Sequence, residues 1–253
     1  MTYFEMLMKI NYSRVLNMSN FWYKPKLHYI AKYFSVVVSP ALILLGVSPN
    51  AVTIFSFVVS LGAVVGIAFA GVDNLYIPVS LFLLFHWLFD FVDGDMARVQ
   101  NSSTFLGRWM DGMSGILLYG LVYISFGFLL FRETQNPLWL LMGSLVGFIT
   151  GIGQMNVDRY SAYRRWIKEE QGIDIGTHEL TPLFSVMSTI NFDLYVGLIF
   201  VAGFFYSVNV VILVLVVGLI WSSMFFYYYS SLIFKSTSSI VDKPKHDGTG
   251  KLR

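Results

Sequence analysis

The sequence predicts an all-α integral membrane protein, with six transmembrane helices and an N-terminal interfacial helix. Three observations predict it. Of the 253 residues, 56% are hydrophobic and only 13% are charged, against about 25% charged in an ordinary soluble domain. Mean hydropathy is +0.64. The charges cluster in short segments between long uncharged runs, the pattern that a bilayer core about 30 Å thick selects. This balance excludes a disordered chain and a nucleic-acid binder with a basic face, and it fits a soluble enzyme poorly. With no cysteine, disulfides, thiolate chemistry and cysteine metal sites are also excluded. The first 30 residues are mixed polar and aromatic, so no secretory signal is expected there.

Residues 1–46 read as an N-terminal cytoplasmic and interfacial segment. Within it, 27–46 carries His28 and Lys32 at one end and Pro40 inside, and is expected to lie on the membrane surface. Residues 51–72 contain no ionisable side chain, and 74–89 form a second uncharged run that ends at Asp90. Further uncharged runs cover 112–131 and 134–157. The block from Leu194 to Phe234 is too long for one crossing, with its break expected near Tyr206–Asn209. Crossings are therefore expected at 50–71, 75–97, 106–131, 137–158, 185–206 and 210–234, a six-helix core over 50–234. The tail 236–253 is polar and expected to be disordered, and 1–253 is one membrane domain.

Charge fixes the orientation. With six crossings, all but one of the 17 Lys and Arg residues fall on one side, Arg132 being the exception. The positive-inside rule then puts both termini and the 98–108 and 159–184 loops in the cytoplasm. A seventh crossing through 27–46 would strand Lys9, Arg14, Lys24 and Lys26 outside.

Charged side chains inside a span are costly and mark function by default. The second span ends in Asp90-Phe-Val-Asp93-Gly94-Asp95-Met-Ala97-Arg98, which sets Asp90, Asp93 and Ala97 on one helical face. The third span opens with Gly107, Asp111 and Gly115, again on one face. The two helices are antiparallel neighbours, so these faces can meet. By helix rise Asp93 and Asp111 lie roughly 6–8 Å into the membrane, and Asp90 about one turn deeper. Three carboxylates in a partly dry pocket cannot all stay ionised without cations. Carboxylates alone suit hard ions such as Mg²⁺, Mn²⁺ or Ca²⁺, which clamp pyrophosphate in phosphoryl transfer.

The pattern Asp90-x-x-Asp93-Gly94-x-x-Ala97-Arg98, eight residues, Gly107-x-x-x-Asp111 resembles the signature of the CDP-alcohol phosphatidyltransferase family. Pro49-Asn50-Ala-Val-Thr53 resembles the same family's Pro-Asn-x-x-Thr element. The resemblance implies a six-helix fold, usually a homodimer, with two divalent ions (Mg²⁺ or Mn²⁺) and a CDP-alcohol bound at the cytoplasmic side. An acceptor hydroxyl attacks the β-phosphorus, a phosphodiester forms and CMP leaves, as in phospholipid or phosphoglycan synthesis. By carry-over, Asp90, Asp93 and Asp111 hold metal. Asn50, Thr53, Gly94, Ala97, Arg98, Thr104 and Gly107 contact or closely approach the CDP moiety. The chain departs from the signature at its last position, where a fourth Asp, the expected base, is replaced by Gly115. A member that binds metal and CDP-alcohol without turnover, as a partner or regulatory subunit, is the alternative reading. A transporter whose acids relay protons or cations is a third.

Other residues read more plainly. Asp95, roughly 140° around the helix from Asp90, is expected to face solvent or Arg98. His86 reads as a packing residue, Asp158-Arg159 and Arg164-Arg165 as a cytoplasmic anchor, and the many Phe and Tyr as lipid-facing or interfacial. His178-Glu179 is too isolated for a metal site. Asp193 must lie about 10–12 Å inside the bilayer if the fifth crossing is to span, which makes it a candidate substitute for the missing base. A bend near Pro182 would instead keep it at the interface.

Overall fold

The computed structural model describes residue 5 and residues 26–102, 104–171, 194–205 and 207–241. Among them every regular element is helical. Helix α1 spans Lys26–Leu44, α2 Pro49–Phe69, α3 Tyr76–Val99 and α4 Phe105–Thr134. Then come α5 over Leu138–Gln171, α6 over Leu194–Phe204 and α7 over Val208–Val241. Five of them, α2, α3, α4, α5 and α7, are long and apolar enough to cross a membrane. The crossing expected at 185–206 is described only as α6, shorter than the ~20 residues a span needs. Residues 172–193, with Pro182, Asp193, His178 and Glu179, lie outside the described residues. Helix α7 runs to Val241, into the stretch expected to be disordered, because no Pro or Gly interrupts the chain until Pro244.

Local chemistry sets the helix starts that frame the site. The Ser48 hydroxyl accepts from the Ala51 N–H at 3.2 Å, and Pro49 takes the first helical position, where its missing N–H costs nothing. Thr104 caps α4 in the same way, accepting from Gly107 N at 3.0 Å. At the opposite end Arg132, the one basic residue expected on that side, donates to the Ala68 carbonyl at 3.1 Å. It thereby satisfies an end carbonyl of α2. Midway along α3, Leu83–Leu88 form a widened π turn.

Helix α4 is the hub. Its Leu118, Val122, Phe126 and Leu129 are fully buried, among Val64 and Ile67 of α2 and Val211 and Leu215 of α7. Hydroxyls tie the far helices together: Thr150 of α5 meets Ser222 of α7 at 2.8 Å, and Tyr195 of α6 meets Ser222 at 3.2 Å. The aromatic residues are more divided than the sequence suggested. Phe148, Phe200 and Tyr227 face outward, whereas Tyr123, Phe82 and Phe126 are fully buried. Tyr123 is taken in because Gly218 of α7 leaves space for its ring.

Helices α4 and α5 approach backbone to backbone. A methyl group placed on Gly127 would sit 2.5 Å from the Trp139 carbonyl oxygen and 2.7 Å from the Gly143 Cα. One placed on Gly147 would collide with the Gly120 carbonyl oxygen. Small residues permit such contact between membrane helices, where dispersion replaces the hydrophobic drive. Gly127→Ala should therefore destabilise the protein by about 1–3 kcal/mol through overpacking, read as a lower thermal midpoint in detergent. Gly62→Ala, where the added carbon meets nothing within 4 Å, should leave the midpoint unchanged or slightly higher.

Candidate functional site

The capped starts of α2 and α4 and the last turns of α3 enclose a cavity of about 170 Å³. Its wall brings together Asn50 and Thr53 of α2, Asp93, Gly94, Ala97 and Arg98 of α3, and Thr104, Gly107 and Asp111 at the start of α4. The Thr53 hydroxyl donates to Asp93 at 2.5 Å, which holds this buried carboxylate toward α2. The glycines earn their places by contact. A methyl on Gly107 would stand 3.1 Å from Asn50 Oδ1 and 3.2 Å from Thr104 Oγ1, close enough that these side chains would have to give way. A methyl on Gly94 would stand 3.3 Å from an Arg98 Nη2, where the guanidinium lies across the helix.

Arg98 is held there by Asp95, 2.5 Å away. Of the two expectations for Asp95, the structure bears out the one that pairs it with Arg98: it does not face solvent but is 2% exposed. Helix α1 covers that face of α3. Lys32 pairs with Asp95, and Ser35 donates to it at 2.5 Å. Ser39 lies 3.2 Å from the Val92 carbonyl oxygen. Asp95 is thus a clasp that ties α1 to α3 and aims Arg98.

A second cavity of about 240 Å³ lies deeper, between α3, α4, α5 and α6. Asp90, Asp111, Gly112 and Gly115 line it, with His86, Tyr119, Thr150, Gln154, Asp158 and Tyr195. Asp111 borders both cavities. The charges of Asp111 and Asp93 both act on Asp90. Among the described residues neither Asp90 nor Asp111 has a basic ion-pair partner. Such a pair of oxygen donors, repelling without a counter-ion, is chemistry that a hard divalent cation relieves. As the side chains stand, no three acids or histidines among the described residues enclose an ion site.

His86 sits on the π turn, packed against the rings of Phe82 and Tyr119. It is buried as expected, but among the described residues its Nε2 has no hydrogen-bond partner. Sequence reasoning missed Thr150, Gln154, Asp158 and Tyr195 as wall residues. The anchor pair Asp158-Arg159 is in fact split. Arg159 turns to a separate groove with Tyr163 and Trp166, and Asp158 turns to the acids. The signal was present in the glycines of α4 and α5, whose pairing fixes which residues of the two helices face each other.

Fold and site together define a polytopic helical membrane protein, with two adjoining acid-bearing cavities near one end of its bundle. The chain belongs to the CDP-alcohol phosphatidyltransferase family, whose model matches residues 46–229. No curated protein matches the chain. The matched region takes in α2 through most of α7, and so every residue of both cavities.

The clasp can be tested apart from any reaction. Asp95→Asn keeps the shape but removes the charge that Lys32 and Arg98 share. It should cost about 1–3 kcal/mol, the usual range for a buried polar group left poorly satisfied. Thermal unfolding in detergent measures this, and an unchanged midpoint would remove Asp95 from the clasp.

Proposed function

We propose that the protein transfers a phospho-alcohol group, such as phosphatidyl, from a CDP-alcohol to an acceptor hydroxyl and releases CMP. Family membership supports the reaction class. The observation that carries the assignment to a site is the convergence of both motif elements on one cavity, with a second acidic cavity sharing Asp111. In this reading the CDP moiety occupies the first cavity and the acceptor hydroxyl enters the second.

The residues divide the work. Arg98, aimed by Asp95, donates to a phosphate oxygen. Gly94 and Gly107 keep the wall thin, and Asn50, Thr53 and Thr104 offer polar atoms to the nucleotide. Asp90, Asp93 and Asp111 hold divalent cations of the Mg²⁺ or Mn²⁺ kind, which when bound screen the pyrophosphate charge. Thr53 keeps Asp93 in place for that purpose. The acceptor oxygen forms its bond to the β-phosphorus, the bond from that phosphorus to the CMP oxygen breaks, and the hydroxyl proton is lost. The same reading includes six crossings, both termini and the site on the cytoplasmic side, and a homodimer. The distribution of Lys and Arg supports the orientation.

Purified protein should release CMP from CDP-diacylglycerol or another CDP-alcohol in the presence of a suitable hydroxyl acceptor and Mg²⁺ or Mn²⁺. Metal-dependent binding of CDP-alcohol with no CMP release across a screen of acceptors would favour the non-catalytic alternative. Asp93→Asn retains an acceptor for the Thr53 hydroxyl, so it should fold normally and lose metal-dependent CDP-alcohol binding. Normal affinity and metal response in the folded variant would remove Asp93 from the site. Arg98→Ala should weaken CDP-alcohol binding by about 1–3 kcal/mol, the worth of a charge-assisted hydrogen bond, measured by titration calorimetry.

A further inference from the structure

Gly115 leaves a gap in the deeper cavity. A methyl group built there meets nothing within 4 Å, so this position between Asp111 and Tyr119 offers the cavity open space and no functional group. The wall opposite does. The antiparallel register that sets Gly127 on Gly143 and Gly120 on Gly147 continues toward the cavity and brings Asp158 of α5 over Gly112 of α4. A methyl on Gly112 would stand 3.6 Å from Asp158 Oδ2, so the missing side chain there lets the carboxylate come close to α4 beside Asp111. The charges of Asp111 and of Arg165 both act on it, and among the described residues it makes no ion pair.

A second observation marks this cavity as a place for a ligand. His86 is 7% exposed, lines the cavity and, among the described residues, leaves its Nε2 without a hydrogen-bond partner. A buried polar atom in that state costs free energy unless something entering the cavity bonds to it. Gln154, one turn from Asp158 on the same helix, and Thr150, a turn further, put an amide and a hydroxyl on the same wall. The cavity therefore presents a carboxylate, an amide and hydroxyls to its occupant, with the buried His86 ring in its wall. That set recognises hydroxyl groups.

We propose that Asp158 is the carboxylate that engages the acceptor hydroxyl, supplied by α5 in place of the side chain that Gly115 lacks. Asp158 accepts the hydrogen bond of the hydroxyl. It takes the proton as the new oxygen–phosphorus bond forms and CMP departs with the electrons of the bond that breaks. Asp158 then gives the proton to water before the next turnover. His86 and Gln154 hold further polar atoms of the acceptor. This assignment rests on the transferase reading above.

The test uses the full chain in detergent or nanodiscs with four proteins: wild type, Asp158→Asn, Gly115→Asp and the double variant Asp158→Asn/Gly115→Asp. The first readout is the thermal shift given by CDP-diacylglycerol with Mn²⁺. It should be the same in wild type and Asp158→Asn, because the CDP cavity does not include Asp158. The second is CMP release, which should fall on the order of 100-fold or more in Asp158→Asn, the usual scale of general base catalysis. It should recover at least tenfold in the double variant, where the new carboxylate fills open space. Turnover within threefold of wild type in Asp158→Asn overturns the inference. So does a loss of turnover accompanied by loss of the thermal shift, which marks a structural role. Should Asp158→Asn fail to fold, Asp158→Ser gives the same comparison with a smaller side chain. No CMP release from the wild type with any acceptor overturns the transferase reading itself, a result distinct from an active wild type whose Asp158→Asn variant is equally active.

Discussion

The contact on which the arrangement depends is the backbone packing of α4 against α5 at Gly127–Gly143 and Gly120–Gly147. Membrane helices gain little from hiding apolar surface from one another, because lipid is as apolar as leucine. What they gain is close contact, and only residues without bulky side chains allow the axes this near. A side chain at any of these four glycines would separate the helices or slide one along the other. Sliding matters more than separation. The two helices are long, and a shift of one turn moves every facing pair by about 5.4 Å, enough to take Asp158 away from Asp111. The glycines in the middle of the membrane thus decide which polar side chains meet at its edge.

The acids near that edge are not equivalent, and the partners of each show why. Asp95 is nearly inaccessible but has Lys32, Ser35 and Arg98 around it, so its charge is compensated and its task is structural. Asp93 is buried with the Thr53 hydroxyl donating to it and no ion pair of its own among the described residues. Asp90 and Asp111 have each other. Burying charge without compensation is expensive in a membrane, and proteins retain it where it is used. The order from compensated to uncompensated therefore runs from scaffold to site. Arg98 connects the two, since the same guanidinium that neutralises Asp95 borders the shallower cavity.

Much of this was legible in the chain. Uncharged runs located five long helices, because a continuous apolar stretch leaves a membrane protein few options. The motif spacing grouped Asp93, Arg98 and Asp111, because they lie on two regular helices joined by one tight turn, and the family resemblance added Asn50 and Thr53. What failed were relations between distant segments. The burial of Asp95 depends on α1 folding over α3, which helical periodicity on α3 alone cannot reveal. Asp158 was read with its neighbour Arg159 as an anchor, though adjacent residues on a helix point about 100° apart and these two serve different cavities. The buried tyrosine Tyr123 similarly depends on a glycine, Gly218, far along the chain. Whether Asp193 approaches the acids belongs to a stretch outside the described residues.

The two-cavity layout has a mechanistic consequence under the proposed reaction. Phosphoryl transfer needs the entering and leaving oxygens roughly in line, on opposite sides of the phosphorus. One undivided pocket would have to enforce this by the fit of the substrates alone. Two cavities that meet at Asp111 enforce it by position, because the nucleotide and the acceptor approach the shared boundary from different sides. The π turn of α3 contributes to the second approach. A widened turn adds a residue to the helical path, and His86 stands on that turn, at the wall of the deeper cavity. The same helix then resumes regular geometry from Phe89 and delivers Asp90 to the deeper cavity and Asp93 to the shallower one. A single helix with one local irregularity thus supplies polar groups to both sides of the reacting centre, while α5 supplies a carboxylate to only one of them. That asymmetry would let the acceptor side of the site vary, through residues such as Asp158 and Gln154, without disturbing the face that holds the nucleotide.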